Sequence, residues 1–98
     1  MELKINNKIY KVLKDYGETI STINLEEYIT DFYANYDYIV GDWAYGKLRL
    51  KGFYKNNHKF VKDYNNFDKV DDYINNGCAY GCKHFILEVV KNNNIEKE

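Results

Sequence analysis

At 98 residues the chain is long enough to bury one hydrophobic core and too short for two. Its hydrophobic content of 45% and aromatic content of 17% exclude a disordered chain. Its net charge of -1 excludes an argument for nucleic acid or membrane from bulk charge.

In chain order, residues 2–14 read as a hairpin: Leu3 and Ile5 alternate with polar residues, and Asn6-Asn7 suits a turn that needs positive φ. Gly17 and the Ser/Thr-rich stretch that follows read as a loop. Asn24 to about Tyr33 reads as a helix. Asn24 and Glu27 have the spacing of a capping box, and Leu25, Tyr28, Ile29 and Phe32 form a stripe at i, i+3, i+4 and i+7.

Asp37 to Tyr54 reads as a second hairpin. A two-residue turn at Tyr45-Gly46 sets Trp43 against Leu48, Asp42 against Arg49 and Val40 against Lys51. One face is then Ile39, Trp43, Leu48 and Leu50, with Trp43 at the centre of the core. The other is Tyr38, Val40, Asp42, Arg49, Lys51 and Phe53. Gly41 and Gly52 interrupt these strands and mark bulges or close backbone approach. Asn56-Asn57 makes a turn and Phe60-Val61 begins a short extended piece. Asn66 to Asn75 reads as a second helix with Phe67, Val70 and Ile74 on one side, and Gly77 fits its end. Lys83 to Lys91 is a last strand whose Phe85, Leu87 and Val89 face the core. The fold class is α+β: a mostly antiparallel sheet built from hairpins with two helices packed against it. Residues 1–92 form the single domain and 93–98 a charged, frayed tail.

Near-neutrality conceals two opposed blocks. Residues 15–46 carry seven acids and no Lys or Arg; residues 47–62 carry six Lys or Arg and no acid. Either these blocks face each other in the fold, or the basic one is exposed. The start of the chain lacks the apolar segment of an export signal, and no apolar run approaches the ~20 residues of a membrane span. A cytoplasmic location without membrane attachment is expected, with both Cys reduced. Heavy use of Asn, Lys, Ile and Tyr, with no Pro, means that any single exposed Asn, Lys or Tyr carries little weight.

Two blocks carry a family resemblance. The first is YDYIVGDW at 36–43, Gly46, and LRLKGF at 48–53; the second is Cys78-Ala79-Tyr80-Gly81-Cys82 followed by HFILE at 84–88. In order and spacing these resemble the YutD-like family, small uncharacterised proteins of low-GC Gram-positive bacteria. The resemblance implies a cytosolic bacterial α+β domain and brings no activity with it.

Three groups of residues could carry function. Cys78, Cys82 and His84 could form a redox or metal-binding site, although a structural zinc needs four ligands and two thiols at this spacing also serve as plain packing. Asp42 and Arg49, opposed across the hairpin, make either a register-fixing ion pair or an arginine fork held for a phosphate or carboxylate. Finally, Lys47, Arg49, Lys51 and Lys55 beside Tyr38 and Phe53 form a basic, aromatic face. Such a face suits a macromolecular partner, either a protein or a ribonucleoprotein, and basic residues beside rings also suit single-stranded RNA. No phosphate loop, nucleophile elbow or paired-histidine metal motif is present. The expected function is therefore a non-catalytic binding domain that uses the 38–62 region, without a cofactor. Within it, charge reversal at Arg49 is expected to remove binding and spare stability.

Overall fold

The computed structural model describes residues 2–44, 46–77 and 83–90. Five strands form one sheet: β1 (Glu2–Ile5), β2 (Lys8–Tyr16), β3 (Tyr38–Ala44), β4 (Lys47–Phe53) and β5 (His84–Val89). Their order across the sheet is β1-β2-β5-β3-β4, and every neighbouring pair is antiparallel. The last strand in the chain is thus the middle of the sheet and joins the two hairpins.

Both hairpins form, the first around the expected Asn6-Asn7 turn and the second in the expected register. Ile5 pairs with Lys8 around Asn6 and Asn7, whose φ angles of 53° and 69° give the positive-φ pair that a tight two-residue turn requires. In the second hairpin Ala44 pairs with Lys47, Trp43 with Leu48 and Asp42 with Arg49. Gly41 and Gly52 are sites of close approach, not bulges. A side chain at Gly41 would collide with the ring of Phe85, its partner on β5, and one at Gly52 would collide with the ring of Tyr36. The register shift in the sheet falls elsewhere, between Val12 and Lys14 of β2.

The sheet is covered on both faces. On one face Ile39, Phe85, Leu87 and Val89 pack with Ile5 and Tyr10 under Ile20, Leu25 and Ile29. On the other, Val40, Phe53 and Ile86 pack under Val70, with Phe67, Tyr73 and Ile74 alongside. This is why β5 is buried on both sides, with Phe85 and Leu87 fully inaccessible and His84 and Ile86 also buried. The sequence pattern had assigned only its Phe85 face to the core. Trp43 is not the centre of the core: it is half-buried at the rim and meets Phe85 edge-on at 6.1 Å.

One of the two expected helices forms. α1 (Val70–Gly77) follows a short 3-10 turn, Phe67–Lys69, which Asn66 caps by accepting from the Asp68 amide at 2.9 Å. The helix expected over 24–33 is replaced by two 3-10 turns, Leu25–Glu27 and Asp31–Asn35. Asn24 does cap the first, accepting from the Glu26 amide, but Thr30 is fully extended between them at φ -99° and ψ 179°. The physical reason is local. A ten-residue helix is marginal without a complete stripe to bury, a β-branched residue sits in its middle, and only Leu25 and Ile29 find core while Tyr28 and Phe32 stay exposed. Among the described residues the fold is accordingly an antiparallel five-stranded sheet with one helix and several 3-10 turns.

Substituting Gly41 by Ala forces the buried Phe85 ring to move and is expected to destabilise the protein by about 1–3 kcal/mol. Urea unfolding measures this, and an unchanged midpoint would contradict the packing. A second expectation concerns alkaline pH. Burial, and after it Asp31, raises the hydroxyl of Tyr10 above its ordinary value of 10.0. Burial and Asp42 likewise raise Tyr73, against a lowering contribution from Arg49. Because the folded state holds these protons more tightly, the associated stability is complete below about pH 10 and is lost as pH rises through the folded values. Thermal melts should fall above that pH, and Tyr10→Phe should make the fall shallower.

Candidate functional site

The sheet separates the two charge blocks. The acidic segment that includes Glu26, Glu27 and Asp31 packs over the Ile39–Phe85 face through Leu25 and Ile29. The cations of β4 point the other way. Lys47, Arg49 and Lys51 alternate with Leu48 and Leu50, which pack on the Ile39–Phe85 side. β4 is also an outer strand of the sheet, so its side chains line an edge. Lys47, Lys55, Lys59 and Lys62 are all exposed.

Asp42 and Arg49 bridge the blocks at one point. Their register pairing places them side by side on one face. The contact is a two-pronged fork: Arg49 Nε donates to Asp42 Oδ1 and Arg49 Nη2 to Asp42 Oδ2, each at 3.0 Å. The two ends differ in environment, with the Asp42 side chain 0% exposed and the Arg49 side chain 43% exposed. A fully buried carboxylate is thus neutralised by a guanidinium that reaches the surface. Arg49 therefore has a structural role, and Arg49→Glu would set a second carboxylate against the buried one of Asp42. This geometry predicts that the reversal lowers stability as well as altering the surface.

Lys51 lies over a cluster of rings. Its ammonium is 5.4 Å from the centroid of Phe53, 5.4 Å from that of Tyr64 and 5.8 Å from that of Tyr73. Phe53 itself is 1% exposed and belongs to the second core, so it supports this face from beneath. Tyr38 stacks on Phe67 at 3.6 Å and 12°. Burial, then Glu88, Asp37 and Asp68, raises its hydroxyl above the ordinary value. Of the seven residues singled out on this face, Asp42, Phe53 and Tyr38 build it from within, while Lys47, Arg49, Lys51 and Lys55 are the ones that reach its surface.

Of the thiol group, Cys78 and Cys82 lie outside the described residues. His84 is buried on β5, opposite Asp42 in the register, and stacks on Tyr16 at 5.3 Å and 23°. Among the described residues, no group of three or more His, Cys, Asp or Glu is arranged to hold a metal ion. No helix among them is long and apolar enough to cross a membrane. A cleft of about 360 Å³ opens at the far side of the sheet, lined by Leu3, Ile5, Ile20, Ile23 and Leu25, and shares no residue with the basic face.

Sequence reasoning missed two features. The first is Asp37, which is buried and accepts from the Lys55 amide through Oδ2 at 2.9 Å. Its own amide donates to Phe53 O and its carbonyl accepts from Val89 N, so it ties the ends of β3, β4 and β5 together. The second is a run of rings after β4. Tyr36 meets Tyr54 at 4.7 Å, Tyr54 stacks on His58 at 4.1 Å, and His58 meets Phe60 at 5.6 Å. Asp37 does stand inside the YDYIVGDW segment, where an acid between aromatic and aliphatic residues at a strand start is a usable signal. The rings gave none beyond a general abundance of Tyr.

The sequence profile of a family described as "Putative antitoxin YutD-like" matches residues 4–88. The chain belongs to the YutD-like family. Its similarity to "Putative antitoxin YutD" of Bacillus subtilis (strain 168) is 31% identity over 87 residues, covering 89% of this chain and 96% of the relative. The solution NMR structure of protein yutD from B. subtilis matches with a TM-score of 0.72 and 29% identity, over 94% of this chain and 84% of that one. The expected family membership is confirmed, and the antiparallel sheet is a property that this YutD-like chain shares with a solved relative.

Removing the guanidinium leaves the Asp42 carboxylate buried without its fork. Arg49→Ala should cost about 1–3 kcal/mol, and Arg49→Lys should recover only part of this because an ammonium cannot reproduce the two parallel bonds. Chemical denaturation of the three proteins checks the order; an Arg49→Ala protein as stable as wild type would contradict it.

Proposed function

We propose that this chain is a non-catalytic binding domain of the cytoplasm that holds a protein partner with an acidic surface against the cationic edge of β4 and the segment after it. The observation that carries this reading is the separation of charge. Lys47 and Arg49 are presented on an outer strand and Lys55 just beyond its end, while the acidic residues Glu26, Glu27 and Asp31 lie across the sheet. A strand edge rimmed by cations attracts an acidic partner over a Debye length of about 10 Å and speeds encounter. Recognition of this kind needs no reacting group. The name of the B. subtilis relative describes an antitoxin, and carried to this chain it makes the partner a toxin that the domain neutralises by binding.

The edge also has a device that keeps it specific. Asp42 fixes the plane of the Arg49 guanidinium, and the rings beneath Lys51 fix its ammonium. Charges held in place discriminate between partners better than mobile ones, because less side-chain entropy is lost on contact.

The test uses the double variant Lys47→Glu, Lys55→Glu, since both side chains are exposed and neither lies in a core. Its melting temperature should match wild type. Recovery of the partner from an extract of the native host should drop about tenfold or more, with association slowed more than dissociation. A variant that recovers the same protein with the same affinity as wild type would refute the assignment of this edge.

A further inference from the structure

The rings missed by the sequence reading form a surface of their own. Phe32 meets Tyr36 at 5.7 Å, and contact continues through Tyr54 and His58 to Phe60. None of these five residues belongs to either core cluster. The two ends are open: Phe32 is 62% exposed and Phe60 57% exposed. The three rings between them are half-buried, and exposed rings at the two ends are not required by the cores that cover the sheet.

The segment that carries them is built rather than slack. The Tyr54 amide donates to Asn65 O at 2.7 Å and its carbonyl accepts from Phe67 N at 2.9 Å. His58 N donates to Lys55 O, and His58 O accepts from Val61 N. His58 Nδ1 accepts from the Phe60 amide at 3.0 Å, which leaves the ring proton on Nε2 and fixes the imidazole against the chain. Tyr36, in turn, lies where only a glycine at position 52 admits its ring. Rings held in this way lose little entropy when something stacks on them.

Cations surround the Phe60 end. Lys55, Lys59 and Lys62 are exposed, and the Lys59 ammonium lies 5.2 Å from the Phe60 centroid. No acid occurs from residue 43 to residue 62. Asp37, close by, is buried and occupied by the Lys55 amide. Asp31 stands beside Phe32, so the other end of the row is the less favourable one for an anion.

The nearest exposed acid in sequence, Asp63, lies 3.5 Å from the Lys69 ammonium. Rings exposed at their ends and flanked by cations match one chemistry best: unpaired bases joined by phosphates. We infer that the Tyr54–Phe60 segment binds single-stranded nucleic acid, with a base stacked at His58 and Phe60 and the adjoining phosphates on Lys55 and Lys59. A duplex offers no open base face, and an acidic peptide uses the lysines but not the rings. This surface shares Lys55 with the protein-binding edge but is centred on the rings beyond β4, so Lys47 and Phe60 report on the two surfaces separately.

Fluorescence anisotropy with labelled oligouridylate and oligothymidylate of about ten nucleotides tests it, beside a duplex of equal length and an oligoglutamate competitor. Wild type should bind a single strand, more weakly as salt rises. Phe60→Ala should lower the affinity about 5- to 150-fold with an unchanged melting temperature, in line with about 1–3 kcal/mol for one stacked base. The pair Lys55→Ala, Lys59→Ala should reduce the salt slope by about 1.4, at about 0.7 for each phosphate. Lys47→Glu should change neither quantity, which separates this site from the β4 edge. A preference for one oligomer identifies RNA or DNA as the ligand, and either supports the inference. Four results would overturn it: no saturable binding to either strand, an affinity untouched by Phe60→Ala, equal binding of duplex, or displacement by oligoglutamate as effective as by the oligonucleotide itself.

Discussion

The structure depends on a strand that arrives last and is placed in the middle. β5 pairs with β2 on one side and β3 on the other, and without it the chain is two separate hairpins. An isolated hairpin is marginal in water at best, so the hydrogen bonds and burial of β5 turn two weak units into one sheet. The closest packing follows from this arrangement. Phe85 on β5 lies over Gly41 on β3, where no side chain could share the space, and the ring takes the place of the missing cross-strand partner. Covering layers come from the two connecting segments, 17–36 on one face and 54–77 on the other.

That two-sided cover also determines the electrostatics. The connection before β3 is acidic and covers one face; the cations of β4 project to the other face and to the outer edge. The sheet acts as a partition between charge blocks that would otherwise cancel. The Asp42–Arg49 fork is the point where the partition is crossed, and there the charge is used for structure. What remains exposed on the edge strand is Lys47 and part of Arg49, and charged side chains on an edge elsewhere also protect a sheet from pairing with another sheet. Protection of the edge and attraction of an acidic partner are compatible roles for the same side chains.

Much of this was legible in the residues. Asn6-Asn7 and Gly46 mark both hairpin turns, and a two-residue turn at Tyr45-Gly46 sets Trp43 opposite Leu48 and Asp42 opposite Arg49, where a longer turn would mix apolar and charged partners. The face of β5 was half legible: Phe85, Leu87 and Val89 are an apolar row, but the burial of His84 and Ile86 depends on a helix that packs from a distance in sequence. The helix at 24–33 misled because its stripe is real in sequence yet only Leu25 and Ile29 have a core to enter, and Thr30 prefers the extended state. The chain's abundance of Tyr concealed the ring row at Tyr36, Tyr54, His58 and Phe60, since it comes together only when the start of β3 meets the end of β4. Tyr38, Asp42, Arg49, Lys51 and Phe53 share a face in the register, with Asp42 and Phe53 as its buried supports.

The central claim is that the sheet keeps the acidic segment and the basic edge from pairing. A double-mutant cycle on unfolding free energy tests this most directly, with Glu26→Lys and Lys47→Glu made singly and together. The account predicts additivity within about 0.3–0.5 kcal/mol, as for distant sites without a shared partner. A larger coupling, with the double variant rescuing the single ones, would show that the two blocks face each other and would contradict an open cationic edge.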